Sequence, residues 1–190
     1  GATQLIPGPE ALPAVSTIDP TRRYGRADAK STAGEAMPGD LTRAIDLGAV
    51  LVSAELVGIS ARALEMTVEY VKDRKQFGRP VGSFQAVQHR CAQMLLSTEA
   101  ARAATYFAAW AADADPDRLP EAASLAKSAA SRAGIEVTQS AIQAHGGIGF
   151  TWEADVHWFY KRAQLDAAFL GSSGEHDQRL TSLIAGQTTA

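Results

Sequence analysis

The sequence predicts an all-α fold, an up-down-up-down four-helix bundle with a short β segment at its N-terminus. Three features carry that reading. From Asp40 onward, apolar residues recur at alternating steps of four and three, the repeat that lines one face of a helix. The long runs are separated by short connections rich in glycine, proline and polar residues. The first 39 residues, by contrast, carry Pro7, Pro9, Pro13, Pro20 and Pro38, a density no helix interior accepts.

Within that proline-rich stretch, Thr3 to Ile6 and Ala14 to Ile18 read as short strands joined by loops, too small to stand alone. The first helix runs about thirty residues on the seam Ile45, Ala49, Val52, Leu56, Ile59, Ala63, Met66 and Tyr70, and Gly78, Pro80 and Gly82 end it. Ser83 is the expected N-cap of a second helix. Its inner stripe is Phe84, Val87, Cys91, Met94, Thr98 and Ala101, and it reaches to near Ala112. Asp113 to Arg118 form a polar turn. Pro120 suits the opening position of a third helix, because a proline there gives up no intrahelical bond. That helix is rich in alanine (Ala122, Ala123, Ala126, Ala129, Ala130, Ala133), which allows close helix approach or an oligomer interface. It ends near Gly146, Gly147 and Gly149. A fourth helix starts near Trp152 to Ala154, breaks around Gly171 to Gly174 and resumes through Leu180 and Ile184. Short connections between long helices give the up-down order.

Composition bounds the function classes. The 190 residues are 46% apolar and 21% charged, an ordinary globular balance. A net charge of −3 gives no reason to expect nucleic acid or an anionic membrane as a partner. Cys91 is the only cysteine, so no internal disulfide forms and a reducing, cytoplasmic setting is expected. It falls on an apolar helical face and reads as a buried structural thiol. No uninterrupted apolar run approaches the roughly 20 residues that span a bilayer, and the N-terminus lacks the pattern of a signal peptide. The chain opens on Gly1 and not on methionine, as a tag remnant or processing would leave it.

Two segments could carry chemistry. Asp73-Arg74-Lys75-Gln76-Phe77-Gly78-Arg79 closes the first long helix, where a cation is favoured by the helix dipole in any case. Gln76 adds an amide donor and Phe77 an aromatic wall, and the fixed fork of Arg74 suits a pyrophosphate better than lysine would. Gln143-Ala144-His145-Gly146-Gly147-Ile148-Gly149-Phe150 closes the third helix. Glycine is an ordinary helix stop, and the run follows a helix instead of a strand, so it is no Rossmann fingerprint. Adjacent glycines nevertheless let a ligand approach the backbone, with Gln143 one turn upstream. His89 and His145 could reach such a ligand or serve structurally. His157 and His176 have no partner at metal-ligand spacing, so no metal site is expected.

Tyr70 to His89, through Asp73-Arg74-Lys75-Gln76-Phe77-Gly78-Arg79-Pro80 and Ser83-Phe84-Gln85-Ala86, resembles a helical-domain signature of the acyl-CoA dehydrogenase family. Gln143 to Phe150 with Trp152-Glu153 resembles its second signature, about seventy residues on. The resemblance covers residues 14–188. It implies that residues 1–39 are the end of a middle β-domain with its linker, and residues 40–190 the C-terminal bundle of a subunit that is twice as long in the family. It further implies FAD lying between subunits of a homo- or heteromeric tetramer. Arg74, Gln76 and Phe77 would contact the diphosphate and adenosine of a neighbour's FAD. Gln85, Gln143, Gly146 and Gly147 would hold the ADP half. The implied reaction is α,β-dehydrogenation of an acyl-CoA in fatty-acid or sterol oxidation, with an electron-transfer flavoprotein as acceptor.

The family's catalytic carboxylate is the point of departure. Its Tyr-Glu-Gly-Thr pattern matches Phe169-Leu170-Gly171-Ser172, so Leu170 stands at the expected base position, or Ser172 after a two-residue shift. The alternative site on the first bundle helix matches Gly48-Ala49. Glu55 and Glu175 are the nearest carboxylates, Glu175 being the candidate for a displaced base. Three readings follow: a non-catalytic structural or oligomerisation subunit whose partner holds the glutamate, a displaced base, or flavin chemistry that does not begin with α-proton abstraction.

Overall fold

The computed structural model describes residues 4–5, 13–26, 34–36 and 40–188. Two small antiparallel pairs precede the bundle: β1 (Gln4–Leu5) with β4 (Glu35–Ala36), and β2 (Ala14–Val15) with β3 (Tyr24–Gly25). The strand expected over Ala14 to Ile18 stops at Val15. Beyond it the Thr17 hydroxyl donates to the Asp19 carbonyl, and Asp19 Oδ1 accepts both the Thr21 N–H and its hydroxyl, which turns the chain. Thr3 and Ile6, at the ends of the other expected strand, lie outside the described residues, as do Pro7, Pro9 and Pro38.

The bundle follows as expected: α1 (Thr42–Asp73), a hairpin of β5 (Lys75–Gln76) and β6 (Arg79–Pro80), α2 (Gln85–Ala114), α3 (Leu119–His145), α4 (Val156–Ala168) and α5 (Ser173–Thr188). The fourth run breaks at residues 169–172 into α4 and α5, and it starts at Val156, later than the sequence suggests, because residues 146–150 form a tight 3-10 turn. Ser83 is not the N-cap of α2. It sits in a 3-10 turn with its hydroxyl donating to the Pro80 carbonyl (2.8 Å), and Phe84 takes the cap position without a side-chain bond.

α3 is the central helix and packs on α1, α2, α4 and α5. Its alanines permit this: Ala122, Ala123, Ala126 and Ala130 are wholly buried, and a Cβ at Gly134 would lie 2.7 Å from Leu56 Cδ2 of α1. The α1 seam is buried from Ala49 through Ala63, while Ile45 is exposed. The inner stripe of α2 is buried only from Met94 onward: Met94, Thr98 and Ala101 are buried, and Phe84, Val87 and Cys91 only half so. Burial pushes the Cys91 thiol up, which keeps it an unreactive neutral group. Five buried hydroxyls are satisfied within their own helices: Ser53, Ser60, Thr67, Thr98 and Thr105 each donate to the carbonyl four residues back.

By length and composition alone α1 would qualify as a bilayer-crossing segment, which counting uninterrupted apolar residues missed. Half of its most apolar 18-residue window is buried inside the bundle.

Charges tie the N-terminal segment to the bundle. Arg22 contacts Glu55 of α1 and Asp166 of α4 (2.9 Å to the latter), and Arg162 of α4 bonds Asp19 and Glu55 (2.7 Å to the latter). Asp166 is fully buried. Burial and the neighbouring Glu55 push its carboxyl up to about 6 against the pull of Arg22 and Arg162.

Candidate functional site

At one end of the bundle the termini of α1, α2 and α3 leave a groove of about 610 Å³. Arg74 ends α1 in an extended conformation. Its N–H still bonds the Tyr70 carbonyl (2.9 Å), and its own carbonyl accepts the Val81 N–H (2.7 Å), which fixes the hairpin on the helix end. The hairpin turns through Phe77 and Gly78, both at positive φ (53° and 78°), as a two-residue primed turn requires. Glycine suits such a position and phenylalanine does not. Phe77 is nonetheless 92% exposed, held only edge-to-face against Phe84 at 6.3 Å. A strained aromatic offered to solvent is a mark of a site, not of a core.

From the other side α3 ends at Gly146 (φ 66°), and a Cβ at Gly147 would meet nothing within 4 Å, so the backbone lies open to a ligand. A floor lies between the two motifs: the Tyr70 and His145 rings stack at 4.4 Å. His145 Nδ1 donates to the Ala141 carbonyl (2.8 Å), which fixes the orientation of the ring.

Arg74, Gln76, Phe77, Gln143, Gly146 and Gly147 all line this one groove. The structure brings together what the sequence holds far apart. Gln85 is not among its walls: it is the exposed first residue of α2, whose register turns Ala86, Val87 and Arg90 toward the groove instead. Arg90, one turn beyond Ala86, and Tyr70 were missed; the i, i+4 spacing from Ala86 is the signal that finds Arg90.

The groove is electropositive. No carboxylate lines it, and Arg74 and Arg90 have no acidic partner among the described residues. The first turn of α2, which has no side-chain cap, brings the positive end of that helix's dipole to the same wall. An adjoining groove shares Tyr70, Arg74 and His145 but carries Glu69, Asp73, Glu153 and Asp155. Cations, amide donors, an aromatic and bare glycine backbone fit a phosphate-bearing cofactor such as FAD.

The second region of interest is the α4–α5 connection. Leu170 (φ 59°) and Gly171 (φ 103°) are both left-handed. Leu170 lies directly on α1: a Cβ at Gly48 would fall 2.8 Å from Leu170 Cδ1. The two positions that could carry a carboxylate therefore face each other, and neither does. Lys127 of α3, wholly buried, donates to the carbonyls of Ala167 (3.1 Å) and Gly171 (2.9 Å) and to Ser131 Oγ (3.0 Å), and burial pushes its ammonium down to about 8.

Glu175 is a capping residue. It accepts the Ser172 N–H and hydroxyl (2.7 Å each) while the Ser172 hydroxyl accepts its N–H, a reciprocal box at the start of α5. Those bonds hold its carboxyl below the usual range, opposite to what a base that must protonate near neutrality needs. Glu55 is occupied by Arg162 and Arg22; burial raises its carboxyl, and those bonds more than offset that. His176 is held by the Leu170 carbonyl (2.9 Å), His89 is exposed on α2, and His157 is buried beside Trp152 and Trp158.

Comparison with known proteins agrees with this geometry. Residues 40–181 match the family described as acyl-CoA dehydrogenase, C-terminal domain. Acyl-CoA dehydrogenase IpdE2 of Mycobacterium tuberculosis is 44% identical over 170 residues, 90% of this chain and 51% of that protein. The chain spans about half the length of the curated relatives it matches. Among solved structures, the Tcur3481-Tcur3483 steroid ACAD G363A variant superposes with a TM-score of 0.85 at 31% identity, over 95% of this chain and 50% of that one. The ChsE4-ChsE5 complex from Mycobacterium tuberculosis gives 0.79 at 27%, over 92% and 49%. With the matched region filling most of the bundle, the chain belongs to the acyl-CoA dehydrogenase family, as its C-terminal domain.

Proposed function

We propose that this chain is one component of an FAD-dependent acyl-CoA dehydrogenase that oxidises the α,β-bond of an acyl-CoA thioester and hands electrons to an electron-transfer flavoprotein. One observation carries the proposal: two motifs about seventy residues apart close on a single groove that no carboxylate among the described residues lines. FAD, when bound, supplies the hydride-accepting centre. The chain's part is to hold it. The Arg74 fork takes phosphate oxygens, Gln76 and Gln143 give amide bonds, Gly146 and Gly147 admit the ligand to the backbone, and Phe77 makes a wall across a subunit interface.

The proton acceptor comes from a partner subunit. Leu170 and Gly48 pack on each other where a base would project, and Glu175 is committed to its cap. The similarity to a ChsE4-ChsE5 complex supports a heteromeric assembly, and that to a steroid acyl-CoA dehydrogenase supports a steroid-derived acyl-CoA as substrate. The same Leu170–Gly48 contact favours a second reading, a subunit that shapes the assembly and takes no part in turnover. In either case α1 serves as a core helix of the bundle and not as a membrane span.

Purification of the chain alone and with a longer partner subunit, read by flavin absorbance and by acyl-CoA-dependent dye reduction, tests this. A complex that is yellow, active, and bleached by Arg74→Ala is the expected result. A colourless complex would overturn the proposal, and a yellow complex whose turnover the chain does not alter would select the second reading.

A further inference from the structure

Arg74 has an ordinary explanation available, since it closes α1 where the helix dipole favours a cation. Arg90 has none. It lies in the second turn of α2, near the positive end of that helix, where a cation gains nothing from the dipole. It is exposed and has no carboxylate partner among the described residues, so it forms no structural ion pair. It does not line the adjoining groove, whose four carboxylates could have paired with it. It lines the carboxylate-free groove, on the α2 wall, while Arg74 enters from the α1 hairpin. Two guanidiniums from different helices, with no carboxylate among the described residues that line the groove, offer an incoming anion two charged forks.

From this arrangement we infer that Arg90 is a second anion anchor, and that the Arg74–Arg90 pair selects a ligand with two linked phosphates. This rests on the reading of the groove as a cofactor half-site and adds a determinant to it. One phosphate is served by one guanidinium fork, whereas a diphosphate presents charge to both walls. The pair therefore favours a dinucleotide flavin, or ADP alone, over a flavin mononucleotide. Arg90 is a specificity-determining residue; it acts on binding and not on the reacting atoms.

The test is calorimetric titration of the deflavinated complex with ADP, FAD and FMN, comparing wild type with Arg74→Ala, Arg90→Ala and Arg90→Lys. Arg90→Ala should weaken ADP and FAD by about tenfold or more, as loss of a charge-assisted contact does. FMN should lose much less, and Arg90→Lys should recover part of the loss. The log-log salt slope for ADP should also become shallower in Arg90→Ala, since one cation fewer is engaged. Wild-type ADP and FAD affinity in Arg90→Ala, alongside a loss in Arg74→Ala, would overturn the role of Arg90 and leave the half-site standing. A wild-type complex that binds neither ADP nor FAD would overturn the half-site itself. Equal losses for FAD and FMN would refute the selectivity. Arg90 is exposed and unpaired, so an unchanged melting temperature is expected to accompany all of these results.

Discussion

At the groove between α1, α2 and α3, two arginines meet no acid among the described residues, a phenylalanine stands 92% exposed, and a helix start has no side-chain cap. At the α4–α5 connection the polar groups are turned inward instead. Lys127 donates to three acceptors, Arg179 clasps Asp46, Glu175 caps its own helix, and His176 holds the Leu170 carbonyl. Both regions have left-handed residues that a side chain dislikes. The contrast lies in what satisfies them. The connection's groups find their partners within the chain, the buried His176 Nδ1 excepted, while the groove's cations await something else. A concave surface whose cations have no internal partner is the better guide to where a ligand or partner binds.

The comparison can be broken most forcefully at Lys127. Lys127→Met keeps the volume and strips the donor from two carbonyls and a hydroxyl, and should cost about 3 kcal/mol in denaturant unfolding. A cost near zero would mean that the connection is not held from within. Arg74→Ala should cost unfolding no more than about 0.5 kcal/mol, the helix-dipole contribution, and weaken FAD retention by about 1.5–3 kcal/mol, measured by flavin release from the assembled complex. Asp166→Asn gives a pH signature. Because the folded-state pKa is raised from 3.8 to about 6, its stabilising contribution is full below 3.8 and is lost as pH climbs to about 6. Wild type should therefore lose stability relative to Asp166→Asn across that window, in melts taken at stepped pH. Glu175→Gln, which keeps a capping-box side chain, should lower the melting temperature little and leave turnover of the complex intact; loss of turnover with the fold preserved would make Glu175 a base after all. Gly48→Ala should cost about 1 kcal/mol, and less in a Leu170→Ala background, where the colliding methyl is gone.

How much of this was legible in the sequence depends on the distance over which each feature is decided. The α1 seam from Ala49 to Ala63 was readable because burial there repeats with the helix. Phe84 and Ser83 were not, since a 3-10 turn claims the Ser83 hydroxyl and moves the cap by one residue. Gln85, the exposed first residue of α2, lies outside the groove, whereas Arg90 lines it. The meeting of the two motifs was expected only through family resemblance; periodicity says nothing about which helix ends are neighbours. Lys127 was invisible for a simpler reason. On an alanine-rich helix it reads as a solvated face, and its acceptors Ala167 and Gly171 lie 40 and 44 residues further on. The Leu170 position was legible as a missing carboxylate, but its contact with Gly48 was not.

The Asp19–Arg162 pair has a kinetic consequence. It joins residues 143 positions apart, and the loop it closes contains nearly the whole bundle. Closure entropy grows only with the logarithm of loop length, so the equilibrium penalty is modest. The rate is another matter, because such a contact forms only once α1 and α4 are already side by side to present Glu55 and Arg162 together. The segment around residues 18–22 should then dock last in folding and release first in unfolding. It acts as a latch on a finished bundle and contributes nothing to the nucleus that builds it.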